Sequence, residues 1–396
     1  MIVGPLALDP FTFLLFVHVY KDIIEPVVVM RVGFVVNPYA GLGGFIGSKG
    51  TDEKAVARAL SLGYQLIAPR RAVEFLRSLR SREFRIVTAA GLMGEDEVAE
   101  AGLNELVERV VGERKGSTTR EDTIASATEM LRAGVDIIVF VGGDGTLKDV
   151  YSVVGTSVPV LGVPSGVKVY SGAFAYTPRD AAGILEAYLR GSGAIVEAEV
   201  VDVDEELFRS DKLSLRVYGY VKTVRVEGLL QPSKGLVTSS DDEENKRAIA
   251  RYLYETMEDG AYYILGPGST VKAIGEFLRD DLTQLGVDVV LNRRVVLRDT
   301  WERPLLEIVG RGVKTYVVVT PIGRQGFIFG RGNQQISPNV LRLVPRENII
   351  VVATLSKVRE LDYLRVYTGD EEVDNKLRGY YRVLVDYGQY MVKKAV

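Results

Sequence analysis

The chain has 396 residues, of which 47% are hydrophobic and 26% are charged, with a formal net charge of −3. This length predicts two domains, and the near-neutral charge argues against a nucleic-acid partner. The absence of cysteine excludes disulfides, thiolate metal sites and cysteine nucleophiles, and the single histidine, His18, excludes a histidine metal cluster. We therefore expect the chemistry to rest on carboxylates, Lys, Arg, hydroxyls and backbone amides.

Residues 1–29 predict an N-terminal arm or extension. The apolar run at 11–20 is too short for a membrane helix, which needs roughly 20 residues. A secretory signal would place Lys or Arg before that run, and the first basic residue is Lys21. We expect the folded unit to begin at Met30 and no membrane partner, and His18 in the arm is then structural or incidental.

From Arg31 onward, apolar β-rich runs alternate with amphipathic segments, a pattern typical of a parallel sheet with crossover helices. The predicted strands lie at 31–37, 84–90, 135–143 and 158–166. The predicted helices lie at 52–63, 69–80, 117–134 and 178–191. The fold class is therefore α/β over 30–192, with a parallel sheet in the first domain.

The residue pattern changes after about residue 192, and this change predicts a second, β-rich α+β domain over 193–396. Long β-branched stretches begin there, and tyrosines concentrate in this half of the chain. We place the boundary near Gly191–Gly193 and expect the C-terminal segment to pack back on the first domain. Within the second domain, the motif GPGST at 266–270 predicts a turn between a strand and a helix.

The most specific motif is GGDGT at 142–146, which leaves a continuous apolar strand and enters a helix. Glycines at such a turn let backbone amides approach a phosphate, and the positive helix end favours an anion. A carboxylate would repel that anion unless it binds Mg²⁺ or accepts a proton from an attacking hydroxyl. The alternative is that Asp144 caps a helix that begins near Thr146.

Two further loops follow predicted strands of the first domain, at 37–52 and 163–172. The first is not a Walker A loop, because Ser48 precedes Lys49, and not a dinucleotide fingerprint, because Ile46 replaces the third glycine. The second lies at the edge where α/β sheets bind ligands, with Ser165 and Lys168 as candidate phosphate contacts. The alternatives are a flexible connection with a solvated Lys49, and a surface lysine after a turn.

The pentapeptide GGDGT resembles the signature shared by NAD kinases, diacylglycerol and sphingosine-type lipid kinases and, more distantly, phosphofructokinases. Together with the stretches at 37–52, 160–175, 266–270 and 326–338, it makes residues 31–390 similar to the archaeal and bacterial ATP-NAD kinase-like family, which includes members associated with acetoin catabolism. This resemblance implies a Rossmann-like first domain and phosphoryl transfer from ATP, another NTP or polyphosphate to the adenosine ribose 2′-hydroxyl of NAD, giving NADP. It also implies Mg²⁺ or another divalent cation, a cytoplasmic location and a homo-oligomer.

The resemblance further implies a role for particular residues. Asp144 would take the proton from the ribose hydroxyl and hold Mg²⁺ together with the donor phosphates. The implied phosphate or nucleotide contacts are Asn37, Gly43, Gly44, Lys49, Thr51, Gly142, Gly143, Gly145, Thr146, Ser165 and Lys168. In the second domain the expected acceptor contacts are Ser269, Thr270, Arg331, Asn333 and Gln334, for which the alternatives are helix caps and a polar loop that satisfies its own backbone.

Two departures from ordinary NAD kinases leave the acceptor open. Residues 163–172 lack the Gly-x-Asn-x-Gly-x-x-Gly-Phe-Leu pattern, and the order Asn-Glu is reversed in EEN at 243–245. One alternative is a kinase of the same superfamily that acts on a lipid or a small polyol, although the sequence has no basic amphipathic helix for a membrane surface. Another is a non-catalytic dinucleotide-binding sensor, against which the intact carboxylate argues.

Overall fold

The computed structural model describes residues 29–48, 53–166, 169–203, 211, 214–232 and 240–396. The predicted N-terminal arm, with His18, therefore lies outside the described residues apart from Val29. The same holds for three of the candidate phosphate contacts, Lys49, Thr51 and Lys168.

The first sheet has five parallel strands in the order β3-β2-β1-β4-β5. They are β1 (Met30–Val36), β2 (Phe84–Ala89), β3 (Val107–Val111), β4 (Ile137–Gly142) and β5 (Val160–Pro164). Every residue of β4 is buried, as its continuous apolar sequence predicts for a strand covered on both faces. Strand β1 pairs with β2 on one side and β4 on the other. The direction of sheet growth thus reverses at β1, where open α/β sheets bind ligands.

Helices cover both faces of this sheet. In the described part of the chain they are α1 (Glu53–Ser61), α2 (Ala68–Ser78), α3 (Glu95–Glu100), α4 (Arg120–Arg132), α5 (Asp144–Val154) and α6 (Pro178–Leu189). Local sequence explains their starts: Thr119 and Asp122 form a capping box at α4, and the Thr177 hydroxyl accepts from the Asp180 N–H at α6. The predicted strands and helices of this region are all present. The pattern missed β3 and α3.

An antiparallel ribbon follows the first sheet and consists of β6 (Ala194–Val203) and β7 (Leu215–Arg225). Its inward residues Ala198, Val200 and Val221 pack in one hydrophobic cluster with α5 and the first sheet. The ribbon therefore extends the hydrophobic core of the first sheet beyond residue 193, where we predicted the second domain to begin.

The second sheet has seven strands in the order β10-β9-β8-β11-β13-β15-β16. They are β8 (Tyr262–Leu265), β9 (Val287–Leu291), β10 (Arg294–Thr300), β11 (Thr315–Val319), β13 (Ile349–Val352), β15 (Gly379–Asp386) and β16 (Gln389–Ala395), and a separate pair is formed by β12 (Phe327–Phe329) and β14 (Arg365–Val366). Strands β8, β11, β13 and β15 are parallel, and antiparallel strands flank them. The predicted fold class, a Rossmann-like parallel sheet followed by a separate strand-rich sheet, is confirmed.

Helices surround the second sheet, and the longest of those described is Ser240–Glu255. Among the described residues they are α7 (Ser240–Glu255), α8 (Ser269–Lys272), α9 (Gly275–Leu278), α10 (Glu302–Val309), α11 (Pro338–Leu343), α12 (Leu355–Glu360) and α13 (Glu371–Leu377).

Several contacts join the loops of the second sheet to the first domain. Trp301, which precedes α10, packs against a cluster formed by the loop after β1 and helix α1. On the other side, the guanidinium of Arg71 stacks over the ring of Tyr367 at 4.2 Å, and the Tyr367 hydroxyl donates to Glu74 Oε2 at 2.5 Å. The loop after β1 and helices α1 and α2 therefore lie beside loops of the second sheet.

Candidate functional site

Three loops meet at the carboxyl edge of the first sheet, after β1, β4 and β5. Asn37 joins the first two, because its Nδ2 donates to Thr146 Oγ1 at 3.1 Å. The backbone N–H of Ser165 joins the third by donating to the carbonyl of Gly142 at 3.0 Å. Asn37, Gly142, Thr146 and Ser165, four of the candidate phosphate contacts, are thus brought together.

Close packing requires glycine at two positions, one within the GGDGT turn and one between two loops. A Cβ on Gly142 would lie 2.3 Å from Thr146 Oγ1, and a Cβ on Gly41 would lie 1.9 Å from the Ser165 carbonyl oxygen. Gly41 also has φ +86°, a conformation that other residues rarely adopt. Gly41 therefore lets the loops after β1 and β5 approach each other, and Gly142 lets Thr146 pack against the end of β4.

The remaining glycine candidates differ in their surroundings. Gly43 and Gly44 are buried in a 3₁₀ turn at Leu42–Ile46. Gly143 precedes the first residue of α5, and Gly145 is exposed, with no described atom within 4 Å of an added Cβ. Among the described residues, Gly145 is therefore the glycine of GGDGT with open space beside it.

Asp144 is the first residue of α5 and is 4% exposed. Its carboxylate reaches across to the third loop, where Oδ2 accepts from the Tyr170 N–H at 2.8 Å and Oδ1 from the Ser171 N–H at 3.0 Å. The alternative in which Asp144 only caps a helix beginning near Thr146 is wrong, because the helix already includes Asp144 and the carboxylate bonds another loop.

Burial raises the pKa of Asp144 from 3.8 to about 6. Hydrogen bonds from Ser171 and Tyr170 and the positive charge of Arg331 act in the opposite direction and stabilise the carboxylate. A carboxyl group with this pKa is mostly ionised at pH 7 and is still a stronger base than an ordinary aspartate. Such tuning suits a general base that works near neutral pH.

Arg331 lies in the loop after β12 and is 5% exposed. Its guanidinium donates to Ala175 O at 3.2 Å and Tyr176 O at 2.5 Å, and also to the side-chain oxygens of Gln231 and Gln325. Burial lowers the pKa of Arg331 to about 9, so the group stays charged at neutral pH. Protein acceptors thus occupy the donors that we expected to face the acceptor substrate.

Of the other candidates of the second domain, Ser269 and Thr270 follow β8, and Asn333 and Gln334 lie in the loop after β12. Ser269 is exposed at the start of α8, while Thr270 is buried. The Asn333 Nδ2 donates to Ile328 O at 2.8 Å. Within the described chain, the buried atoms Asn333 Oδ1, Gln334 Oε1 and Thr320 Oγ1 have no hydrogen-bond partner. Buried acceptors without a partner are rare, and they favour a ligand that brings donors to Asn333 and Gln334.

The turn GPGST rests on a buried ion pair. Lys272 Nζ lies 2.7 Å from Asp288 Oδ2, and both side chains are fully buried. The Asp288 carboxylate also accepts from the backbone N–H groups of Thr283 and Asp299, each at 2.9 Å. Lys272 therefore stabilises the turn from within the protein core, and its ammonium group is not accessible to a bound anion.

A divalent cation fits this site only together with substrate. No group of three or more acidic or histidine side chains suited to a metal occurs in the described ranges. A carboxylate offers about four lone-pair positions. Two backbone amides and the Ser171 hydroxyl bind Asp144 and leave part of this capacity free. Asp144 thus has capacity left for a Mg²⁺ ion that donor phosphates and waters also bind.

Sequence reasoning missed the partners of the carboxylate and of the arginine. Tyr170 and Ser171 donate backbone N–H groups, which no side-chain pattern reveals, and the Ser171 hydroxyl also hydrogen-bonds the carboxylate. Gln231 and Gln325 lie far apart in sequence, in segments without a motif. The Arg-Gly-Asn run at 331–333 was the only available signal, and it identified the arginine and not its partners.

No helix among the described residues is both long and apolar enough to cross a membrane. No curated protein and no solved structure shows significant similarity to the chain. The ATP-NAD kinase N-terminal domain matches residues 32–193, and the ATP-NAD kinase C-terminal domain matches residues 258–394. The two matches together span most of the chain, the first including Asp144 and the second Arg331, and the chain belongs to the NAD kinase-like family of kinases.

Proposed function

We propose that this kinase transfers a phosphoryl group from ATP, another NTP or polyphosphate to the adenosine ribose 2′-hydroxyl of NAD, giving NADP. The observation that carries the proposal is Asp144, a buried carboxylate with a raised pKa at the meeting point of three glycine-containing loops. Membership of the NAD kinase-like family supports NAD as the acceptor substrate.

Asp144 accepts the proton of the attacking hydroxyl. A bond forms between the hydroxyl oxygen and the terminal phosphorus of the donor, the bond from that phosphorus to its bridging oxygen breaks, and the shortened donor leaves. The amide hydrogen bonds from Tyr170 and Ser171 hold the carboxylate in one orientation. Positioning of this kind contributes more to phosphoryl transfer than covalent help does.

The loops that surround Asp144 hold the donor. The open space at Gly145 and the N-terminal end of α5 suit phosphate oxygens, and a divalent cation shared with Asp144 would neutralise part of their charge. Lys49, Thr51 and Lys168 remain proposed phosphate contacts.

The unpartnered oxygens of Asn333 and Gln334 support an acceptor contact in the second domain. Both accept hydrogen bonds, as the hydroxyls, exocyclic amine and carboxamide of NAD require. Ser269 and Thr270 remain proposed contacts, and Arg331 is proposed to act through the protein. A homo-oligomer and a cytoplasmic location stay predictions.

An acceptor panel tests the proposal. The purified protein is incubated with Mg²⁺, a terminally labelled ATP or polyphosphate, and in separate reactions NAD, diacylglycerol vesicles, glycerol or inositol. We expect label in a product that an NADP-specific dehydrogenase reduces. Label in a lipid or polyol and none in NADP would overturn the acceptor, and binding of NAD with no labelled product would favour the sensor.

A further inference from the structure

A polar network links the second domain to the segment 169–176, whose backbone N–H groups bind the Asp144 carboxylate. Gln231 Nε2 donates to Ser171 O at 3.0 Å and to Val169 O at 3.3 Å. Gln325 Nε2 donates to Val169 O at 2.8 Å. Two side-chain amides, one from the second domain and one from the segment after the ribbon, thus fix the backbone whose N–H groups bind Asp144.

Arg331 fixes the orientation of both amides. Its guanidinium donates to Gln231 Oε1 and to Gln325 Oε1, the latter at 3.4 Å. An amide whose oxygen accepts from the arginine must turn its NH₂ group the other way, toward the carbonyls of the segment. The same guanidinium donates to Ala175 O and Tyr176 O, so it also holds the far end of the segment.

We infer that Arg331 is a positioning residue: through Gln231 and Gln325 it holds the segment 169–176 against Asp144 and so sets the orientation of that carboxylate. The inference rests on the proposed role of Asp144 as the base. It assigns to the second domain a direct part in organising the base that lies in the first. Phosphoryl transfer would then depend on the docking of the two domains.

The positive charge of Arg331 also acts on the Asp144 carboxyl group. Among the described residues, the titratable groups that interact with Asp144 are Arg331, which lowers the pKa of its carboxyl group, and Tyr170, whose own pKa Asp144 raises. The charged or titratable groups around Arg331 are Tyr176, Tyr367, Arg71, Arg365 and Asp180. Removal of the Arg331 charge therefore moves the pKa of Asp144 upward.

The test compares R331M with R346M. Arg346 stacks on Tyr381 at 4.6 Å, as Arg331 stacks on Phe327 at 4.4 Å, and it lies outside the network, so R346M controls for the loss of a stacked arginine. For R331M we expect kcat to fall by about 10²-fold, the order that a misplaced catalytic group costs, with KM for NAD changed less than threefold. We also expect the acidic limb of the kcat profile to move to higher pH and both changes to be absent in R346M.

A readout without turnover separates this inference from the proposed function. Carbon-13 NMR follows the titration of the Asp144 carboxyl, assigned with D144N, and hydrogen exchange follows the amides of Tyr170 and Ser171. We expect R331M to raise the pKa of Asp144 and to accelerate exchange at both amides. Unchanged titration and exchange would overturn the inference even if the wild type makes NADP, and the expected changes would support it even if NAD is not the acceptor.

If R331M does not fold, Q325L tests the same inference. It removes one of the two contacts to Val169 O and keeps the charge of Arg331. We expect faster exchange at the two amides and a smaller loss of kcat. Wild-type exchange and kcat in Q325L would contradict the inference.

Discussion

The backbone N–H of Ser171 donates to Asp144 Oδ1 at 3.0 Å. This hydrogen bond favours the ionised form of a carboxyl group whose pKa burial raises to about 6. The base is active only when deprotonated, so we expect kcat/KM to rise with pH through about 6 and to level off above about 7. Initial rates between pH 5 and 8 at constant ionic strength provide the measurement. A flat profile over this range would mean that another group limits the reaction.

The contact between Gly41 and Ser165 predicts a large effect of G41A. The added Cβ would meet the Ser165 carbonyl oxygen at 1.9 Å, and φ is +86°. Gly63 is a matched control, with φ +85° and no described atom within 4 Å of an added Cβ. We expect G63A to cost about 1–2 kcal/mol of unfolding free energy from backbone strain alone, and G41A to cost more. Urea unfolding measures both, and equal costs would contradict the close contact.

Trp301 is the single tryptophan of the chain and packs on the cluster formed by the loop after β1 and helix α1. If that loop binds donor phosphates, ATP should change the emission of Trp301. A fluorescence titration with ATP and Mg²⁺ measures the change, and calorimetry measures the affinity independently. ATP binding by calorimetry with an unchanged emission would separate the loop from the donor site.

The buried pair of Lys272 and Asp288 predicts a strong effect on stability. K272M leaves Asp288 buried without its cation, and we expect a cost of about 3–5 kcal/mol. The exposed pair of Lys314 and Glu258 is the control, since K314M should cost about 1 kcal/mol or less. The double variant K272M/D288N should recover part of the loss. Thermal or urea unfolding of the wild type, the two single variants and the double variant measures these costs. Equal losses of stability in K272M and K314M would contradict the stronger contribution of the buried pair.

The sequence predicted the alternation of strands and helices in the first domain because the apolar periodicity there is strong. It missed β3, an edge strand in which Val111 is the one buried residue, so no apolar pattern marks it. In the second domain the long β-branched stretches predicted strands but not whether those strands are parallel or antiparallel. The parallel arrangement of β8, β11, β13 and β15 depends on crossovers whose helices are short.

The candidate site was predictable in its local part. GGDGT identified Asp144, and the glycine-rich stretches identified the loops beside it, because close backbone approach requires glycine. Its long-range part was not predictable. The partners of Arg331 come from segments up to 156 residues away in sequence, and a guanidinium bound by carbonyls has no signature that distinguishes it from one that awaits a ligand.

The rate of NADP formation by D144N, compared with the wild type, tests the central claim most directly. NAD binding is measured by calorimetry on the same samples, and circular dichroism confirms the fold. We predict a fall in kcat of about 10²–10⁴-fold, as expected for loss of a general base, with NAD affinity changed only a few-fold. A D144N variant that forms NADP at the wild-type rate would contradict the assignment of Asp144 as the base.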